Sequence, residues 1–385
     1  MSDFDFERLR RWPDVEAANL FASDAADHLI LDEAADALES ARPGEVVVLE
    51  DHYGALTLGA SALHGATGIR VHQDALSGEQ ALARNAAGAG LAGAFRSLDL
   101  GEELLAGARV VLLQLPRSLS ALDELASTVV RFAAPDVRLF AGGRIKHMTT
   151  AMNTVLERYF GRIDVSHARQ KSRVLVATEP RSVPRELAGE LPHAAWPRCE
   201  EHPDVGLTVC AHGAAFAGTT IDIGTRYLLE FLGRMNTDAR GDEGAIDLGC
   251  GTGVLAAALA LRNPGIRVLA TDQSAAAVAS ARATMIANGV ADRVTVVRDD
   301  TLTGRPDASA GLIMLNPPFH IGASVHAGIA LKLFDDAARV LRPGGELWTV
   351  WNSHLGYRSV LNRVVGPTHQ VGRNAKFTVT VSTRR

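Results

Sequence analysis

The spacing of apolar and polar residues changes character along the chain, and the second half shows the clearest pattern. Ala245–Leu248 is a short apolar run ending in a glycine-rich loop, and Val254–Leu261 reads as a buried helix. Arg267–Thr271 is strand-like, Ala275–Asn288 helical and Val294–Val297 strand-like again. Gly311–Leu315 predicts a strand, Ala327–Val340 a helix, Leu347–Val350 a strand, and the alternating tail Lys376–Thr383 a last strand. Short apolar strands between helices predict a doubly wound α/β fold with a parallel sheet. Ligands in such folds bind at the carboxyl ends of the strands.

The first half repeats this plan more faintly. IRVHQD at 69–74 matches IRVLATD at 266–272, and each follows a strand, a G-x-L turn and an alanine-rich helix. VVLLQLPRSL at 110–119 parallels GLIMLNPPFH at 311–320, and AGGRIKHM at 141–148 parallels RPGGELWTV at 342–350. We read an internal duplication in which the glycine loop has become LEDHYG and NPP has become QLP. A chain of 385 residues has room for two such units. Between them, Thr178–Asp204 carries Pro180, Pro184, Pro192, Pro197 and Pro203, which predicts a linker, with the second unit starting near Val205.

Composition adds limits. A chain with 47% hydrophobic and 22% charged residues is not wholesale disordered. No apolar run is long enough for a membrane helix, and the N-terminus lacks an apolar signal core, so a cytoplasmic protein with no membrane partner is expected. Cys199, Cys210 and Cys250 form no C-x-x-C pair, so neither a disulfide nor a zinc site is expected. No His, Cys or Asp cluster has ligand spacing, so no metal is implied. The net charge of −5 argues mildly against nucleic acid, but it is unevenly spread. Asp14–Asp51 holds eleven acids and one base, whereas Arg138–Arg185 holds ten bases and three acids. From Arg339 to the end there are eight bases and one acid. Local basic surfaces attract phosphate backbones whatever the total.

Two motifs carry candidate chemistry. In AIDLGCGTGVL at 245–255, Gly249, Gly251 and Gly253 follow a strand and open a helix. They allow a tight turn and close approach of a ligand to the backbone. Asp247 lies in the strand end and Asp272 ends the next strand, where it can accept hydrogen bonds from ribose hydroxyls. Dinucleotide enzymes place an acid similarly, so this pair does not choose the cofactor. Cys250 reads as a small filler. The second motif, Asn316-Pro317-Pro318-Phe319, ends a strand. Its stiff backbone presents the Asn316 side-chain oxygen and the Pro317 carbonyl as fixed acceptors, suited to the two hydrogens of a planar NH2 group. Phe319 offers a face for stacking.

Together DLGCGTG, Asp272 and NPPF resemble class I S-adenosylmethionine-dependent methyltransferases acting on an amino nitrogen. More closely, the chain resembles the bacterial ribosomal RNA guanine-N2 methyltransferase family, which modifies small- or large-subunit rRNA. The resemblance spans nearly the whole chain, through DHYGAL, LPRSLSALDE, AGGRIKHM, GLTVCAHGAAFAGTTIDIGTRYLLEFL at 206–232, SARATMIANGV at 280–290 and NPPFH. The tail, HLGYRSVLNRVVG followed by VGRNAKFTV, is similar to the large-subunit branch.

The resemblance implies two tandem doubly wound Rossmann-like methyltransferase domains. These would be a degenerate RNA-binding or scaffold copy over 1–198 and a catalytic copy over 199–385. It implies that Gly249, Gly251 and Gly253, with Asp247, cradle S-adenosylmethionine, which leaves as S-adenosylhomocysteine. Asp272 would hold the ribose, and Asp300, or its neighbour Asp299, the adenine amino group. Phe216, Thr220, Asp222 and Gly224 match a segment that closes over the cofactor, with Asp222 available to its ammonium. Asn316, Pro317, Pro318 and Phe319 would hold and stack the target guanine, while His320 and His326 read as packing or loop residues. Arg144 and Lys146, in the basic stretch of the first half, would meet ribosomal RNA, with the protein a monomer. Three alternatives share parts of the pattern. A protein glutamine methyltransferase acting on a release factor uses NPPY, DNA adenine methylation uses the same motif, and a non-catalytic RNA-binding assembly factor would need only the first half.

Overall fold

The structure is a computed structural model. It describes residues 4–181, 196–237, 244–318 and 323–385, with the backbone alone over 323–327. The chain divides into two compact units, Met1–Trp196 and Pro197–Arg385.

In the first unit the strands are β1 (Val46–Leu49), β2 (Ile69–His72), β3 (Phe95–Ser97), β4 (Val110–Gln114), β5 (Arg138–Arg144), β6 (Phe160–Val165) and β7 (Ser172–Pro180). The helices are α1 (Ala25–Ser40), α2 (Ala55–His64), α3 (Leu76–Gly88), α4 (Glu102–Leu105), α5 (Leu119–Phe132) and α6 (Thr150–Glu157). The sheet order is β3-β2-β1-β4-β5-β7-β6.

The second unit begins with a hairpin, β8 (Arg198–His202) and β9 (Leu207–Ala211). Its main strands are β10 (Ala245–Leu248), β11 (Val268–Asp272), β12 (Val294–Arg298), β13 (Ala310–Leu315), β14 (Leu341–Asn352), β15 (Thr368–Arg373) and β16 (Phe377–Thr383). Its helices are α7 (Ile223–Leu229), α8 (Val254–Arg262), α9 (Ala275–Ala287), α10 (Ala323–Val340) and α11 (Arg358–Val364). The main sheet runs β12-β11-β10-β13-β14-β16-β15, the same order strand for strand as in the first unit. In both sheets the order reverses beside the first strand, which is where an open α/β sheet leaves a crevice for ligands.

Burial explains why these segments form strands. β10 and β13 are buried at every position, as central strands covered by helices on both faces must be. Leu312, Met314 and Val350 pack on one face of the second sheet, and Ile246, Leu248, Ile313 and Leu315 on the other. Ser274 caps α9 by accepting from Ala277 N at 3.0 Å.

The structure corrects several expectations. The sheets are mixed, because β7 and β16 run antiparallel to β5 and β14. The expected linker is largely structured at its ends: β7 reaches Pro180 and β8 starts at Arg198, so its middle, 182–195, lies outside the described residues. Cys199 and Cys210 face each other across β8 and β9, with Cα atoms 4.0 Å apart, and are joined by a disulfide. An eleven-residue separation gave no sign of the pairing, which a hairpin creates. The repeat is also re-registered. Gln114 keeps the place of Asn316, as QLP for NPP implies, since Leu113 and Leu315 pair with Leu49 and Leu248 respectively, but other segments shift. The same register sets Gln73, not Asp74, at the place of Asp272. AGGRIKHM corresponds to Thr349 onward rather than to RPGGELWTV, because Ala141 pairs with Leu113 and Thr349 with Leu315.

Candidate active site

Three strand ends line up at the carboxyl edge of the second sheet. Thr271 and Leu315 both pair with Leu248, so Asp272, Gly249 and Asn316 leave adjacent strands side by side. Neighbouring strands lie about 5 Å apart. One ligand can therefore touch all three ends.

The glycine loop has an alternating conformation. Gly249, Gly251 and Gly253 all have positive φ, at 68°, 53° and 80°. A β-carbon at Gly249 or Gly251 would meet nothing within 4 Å. At Gly253 it would lie 2.6 Å from Met285 Cε and 3.0 Å from Ala281 Cβ. Thus the first two glycines leave open space, while the third lets α9 pack against the start of α8.

The acids around the loop divide by task. Asp272 accepts from Gly251 N and from Ser274 N, each at 2.9 Å, so the loop is bonded to the end of β11. Asp247, expected among the cofactor residues, is instead 1% exposed and accepts from Ala256 N at 3.0 Å, capping α8 from below. Burial, with the Asp272 charge adding, pushes its carboxyl up to about 7. Burial likewise lifts the Cys250 thiol, in keeping with a filler. Asp300 is buried and pairs with Lys332 Nζ at 2.5 Å, whereas Asp299 accepts from Thr303 Oγ1 at 2.8 Å.

Asn316 is held by the start of α7. Its Nδ2 donates to Asp222 Oδ2 at 3.1 Å and to Thr225 Oγ1 at 2.9 Å. Asp222 Oδ2 also caps α7, accepting from Gly224 N at 2.8 Å and Thr225 N at 3.2 Å. Asn316 Oδ1 is buried and has no hydrogen-bond partner. A β-carbon at Gly224 would lie 3.4 Å from that oxygen, so the absent side chain keeps room beside it. Pro317 is buried and Pro318 exposed. Phe319 and His320 lie outside the described residues, as does the His326 side chain. Phe216 is 58% exposed, and Thr220 Oγ1 donates to Ala217 O at 2.7 Å.

The first unit keeps the loop's backbone but not its glycines at the first two positions. Glu50, His52 and Gly54 hold φ of 57°, 60° and 104°, repeating the alternation of the three glycines. Glu50 Oε1 reaches across to accept from Asp74 N at 3.1 Å. Tyr53 Oη donates to Asp14 Oδ2 at 2.6 Å, and the Arg11 guanidinium lies 4.4 Å from the Tyr53 ring centroid. The N-terminal segment is thus bonded to this loop through Arg11 and Asp14. At the same edge, Arg144 ends β5, and Lys146 and His147 lie in the short turn that follows. Desolvation, then the charges of Arg117, Lys146 and Arg144, lower the His147 pKa.

Two family models match the chain. The methyltransferase small domain matches residues 206–381, and the RLMG N-terminal domain matches residues 1–181. The ribosomal RNA large subunit methyltransferase G of Streptomyces avermitilis is 35% identical over 377 residues, covering 96% of this chain and 95% of its own. The chain belongs to the ribosomal RNA large subunit methyltransferase G family. Another member, from Pseudomonas aeruginosa, is 36% identical over 374 residues, with 96% of each chain covered. The T. thermophilus 16S rRNA N2 G1207 methyltransferase, solved with AdoMet and guanosine, shares the fold at a TM-score of 0.72 over 99% of both chains, with 21% identity.

S-adenosylmethionine is the cofactor of this methyltransferase G family member, and the residues present fit it. Gly249 and Gly251 leave a cradle that a Cβ would fill, and Asp272 stands at the end of β11 for hydroxyl donors. Sequence reasoning missed Thr225 and Lys332. The signal for Thr225 was its place three residues after Asp222 at a helix start.

Proposed function

We propose that this chain transfers the methyl group of S-adenosylmethionine to the exocyclic N2 amino group of a guanine in large-subunit ribosomal RNA. The observation that carries this reading is Asn316 Oδ1, a buried carbonyl oxygen without a partner at the strand end beside the glycine loop. An unpaired buried acceptor is costly, and an incoming N–H donor removes that cost.

When bound, S-adenosylmethionine supplies an electrophilic methyl group on a sulfonium. Asn316 Oδ1 and the Pro317 carbonyl hold the two amino hydrogens, leaving the nitrogen lone pair for in-line attack. Phe319 stacks on the base. Gly249, Gly251, Asp272 and the Asp299–Asp300 pair orient the cofactor, and Phe216, Thr220 and Gly224 border the space above it. The methylated nitrogen would release its proton to solvent, and loss of the methyl group would leave the cofactor as the neutral thioether S-adenosylhomocysteine. No strong base is required, and the electrophile carries its own positive charge, so no metal is required. Positioning supplies most of the rate. A stacked guanine cannot enter such a site, so the target is extruded or already unpaired. Arg117, Arg144 and Lys146 give the first unit a cationic edge suited to RNA phosphates. The protein acts as a cytoplasmic monomer.

The test is to incubate the purified protein with radiolabelled S-adenosylmethionine and cell extract, then separate RNA, DNA and protein. Label in RNA is expected. Label confined to protein points to the glutamine reading and refutes this one.

A further inference from the structure

We infer that Asp222 and Thr225 are positioning residues that fix which way the Asn316 amide faces. The inference rests on the amino-methylation reading above and adds to it the means by which the acceptor is oriented. A terminal amide turns readily about its last side-chain bond, and its two faces differ only in oxygen against NH2. Reversed, Asn316 would present two donors to an amino group and repel it.

The start of α7 removes that freedom. A carboxylate oxygen that already takes two backbone N–H groups is an acceptor, so the amide face turned toward Asp222 Oδ2 must be Nδ2. Thr225 Oγ1 accepts from the same nitrogen at 2.9 Å, which occupies both Nδ2 hydrogens. By elimination Oδ1 is the opposite face, buried, unpartnered and beside the gap kept by Gly224. Asp222 is held in turn by Gly224 N and Thr225 N, so the orientation is anchored in helix backbone. The first unit retains the same link with different residues. Gln114 Nε2 donates to Asp27 Oδ1 at the third position of α1, and Asp27 Oδ2 accepts from Asp24 N at 2.7 Å. The fold thus ties this strand end to the preceding helix start in both copies. The second copy uses the tie to aim an oxygen.

Thr225 gives the cleanest test, because its hydroxyl can be removed without disturbing the Asp222 cap. Full-length Thr225→Val, Thr225→Ala and Thr225→Ser proteins are assayed on large-subunit rRNA lacking the modification. The assays give kcat, the KM for RNA, and the cofactor Kd by calorimetry. Val and Ala should lower kcat about tenfold, the worth of one hydrogen bond, with KM and Kd within about twofold. Ser should restore kcat to within about threefold. The inference is overturned if Val and Ala keep wild-type kcat, if Ser falls as far as Val, or if Kd weakens in step with kcat. Absence of transfer by the unsubstituted protein is a separate outcome and refutes the functional reading itself.

Discussion

The three glycines of the loop should respond differently to alanine, and the structure says how. Gly253 sits at φ 80°, with Ala281 Cβ 3.0 Å and Ala281 Cα 3.2 Å from the position a new Cβ would take. Met285 Cε, at 2.6 Å, is the end of a flexible chain and can swing aside, but the α9 backbone cannot. Left-handed strain costs about 1–2 kcal/mol and overpacking about 1–3, so Gly253→Ala should destabilise the second unit by about 3 kcal/mol. For a unit of this size that is a fall of roughly 10 °C in melting temperature. Gly251 sits at φ 53° with nothing within 4 Å, so its alanine variant should lose only about 1 kcal/mol, roughly 3 °C. The first unit supplies an internal control: the matching positions are His52, which keeps φ 60°, and Gly54, where a Cβ would lie 2.8 Å from Leu82 Cδ1. Cofactor affinity should reverse the order. The Gly251→Ala methyl group fills ligand space and should weaken binding at least about tenfold, since one methylene-sized misfit costs about 1–3 kcal/mol. Calorimetric melting and cofactor titration on both variants settle the matter. Equal melting temperatures, or unchanged affinity in Gly251→Ala, would refute the division of roles.

Three further outcomes are expected. Asn316→Ala should keep cofactor binding, read by titration, while methyl transfer falls at least about a hundredfold, as for other preorganised polar groups; unchanged turnover removes the NPPF mechanism. Burial lifts the Asp247 carboxyl from the ordinary aspartate value of 3.8 to about 7, so its contribution to stability is full below about pH 4 and lost as pH rises toward 7. Asp247→Asn should flatten that decline, with an upper bound of about 4 kcal/mol by pH 8, read from urea melts; parallel profiles in both proteins would contradict the assignment. Arg144→Ala with Lys146→Ala should lower RNA affinity and reduce the slope of log affinity against log salt by up to about 2, and an unchanged slope places the RNA contacts elsewhere.

Much of the second unit was legible because its strands are central and its helices carry plain apolar periods. β10, α8, β11, α9, β12 and β13 fall within a residue or so of their expected bounds. What escaped was structure made by long-range pairing. β8 looked like linker because Pro197 and Pro203 flank it, so its pairing with β9 in the second unit was not seen. The Cys199–Cys210 bond was hidden for the same reason. The repeat was visible, down to QLP for NPP, but its register elsewhere was not, since only strand pairing shows that Gln73 stands for Asp272. Asp247 looked like a ligand residue because its position in a strand end does not reveal which way the side chain turns. The orientation of Asn316 depends on residues 91 and 94 positions away, beyond the reach of local pattern.

The central claim is methylation of a guanine amino group in ribosomal RNA, and nucleoside mapping tests it most directly. Large-subunit rRNA from cells lacking this gene is compared with rRNA from cells complemented by the wild-type and Asn316→Ala proteins. The account predicts one N2-methylguanosine that is absent in the deletion, restored by wild type and not by Asn316→Ala. An unchanged set of N2-methylguanosines in both ribosomal subunits on deletion would contradict it.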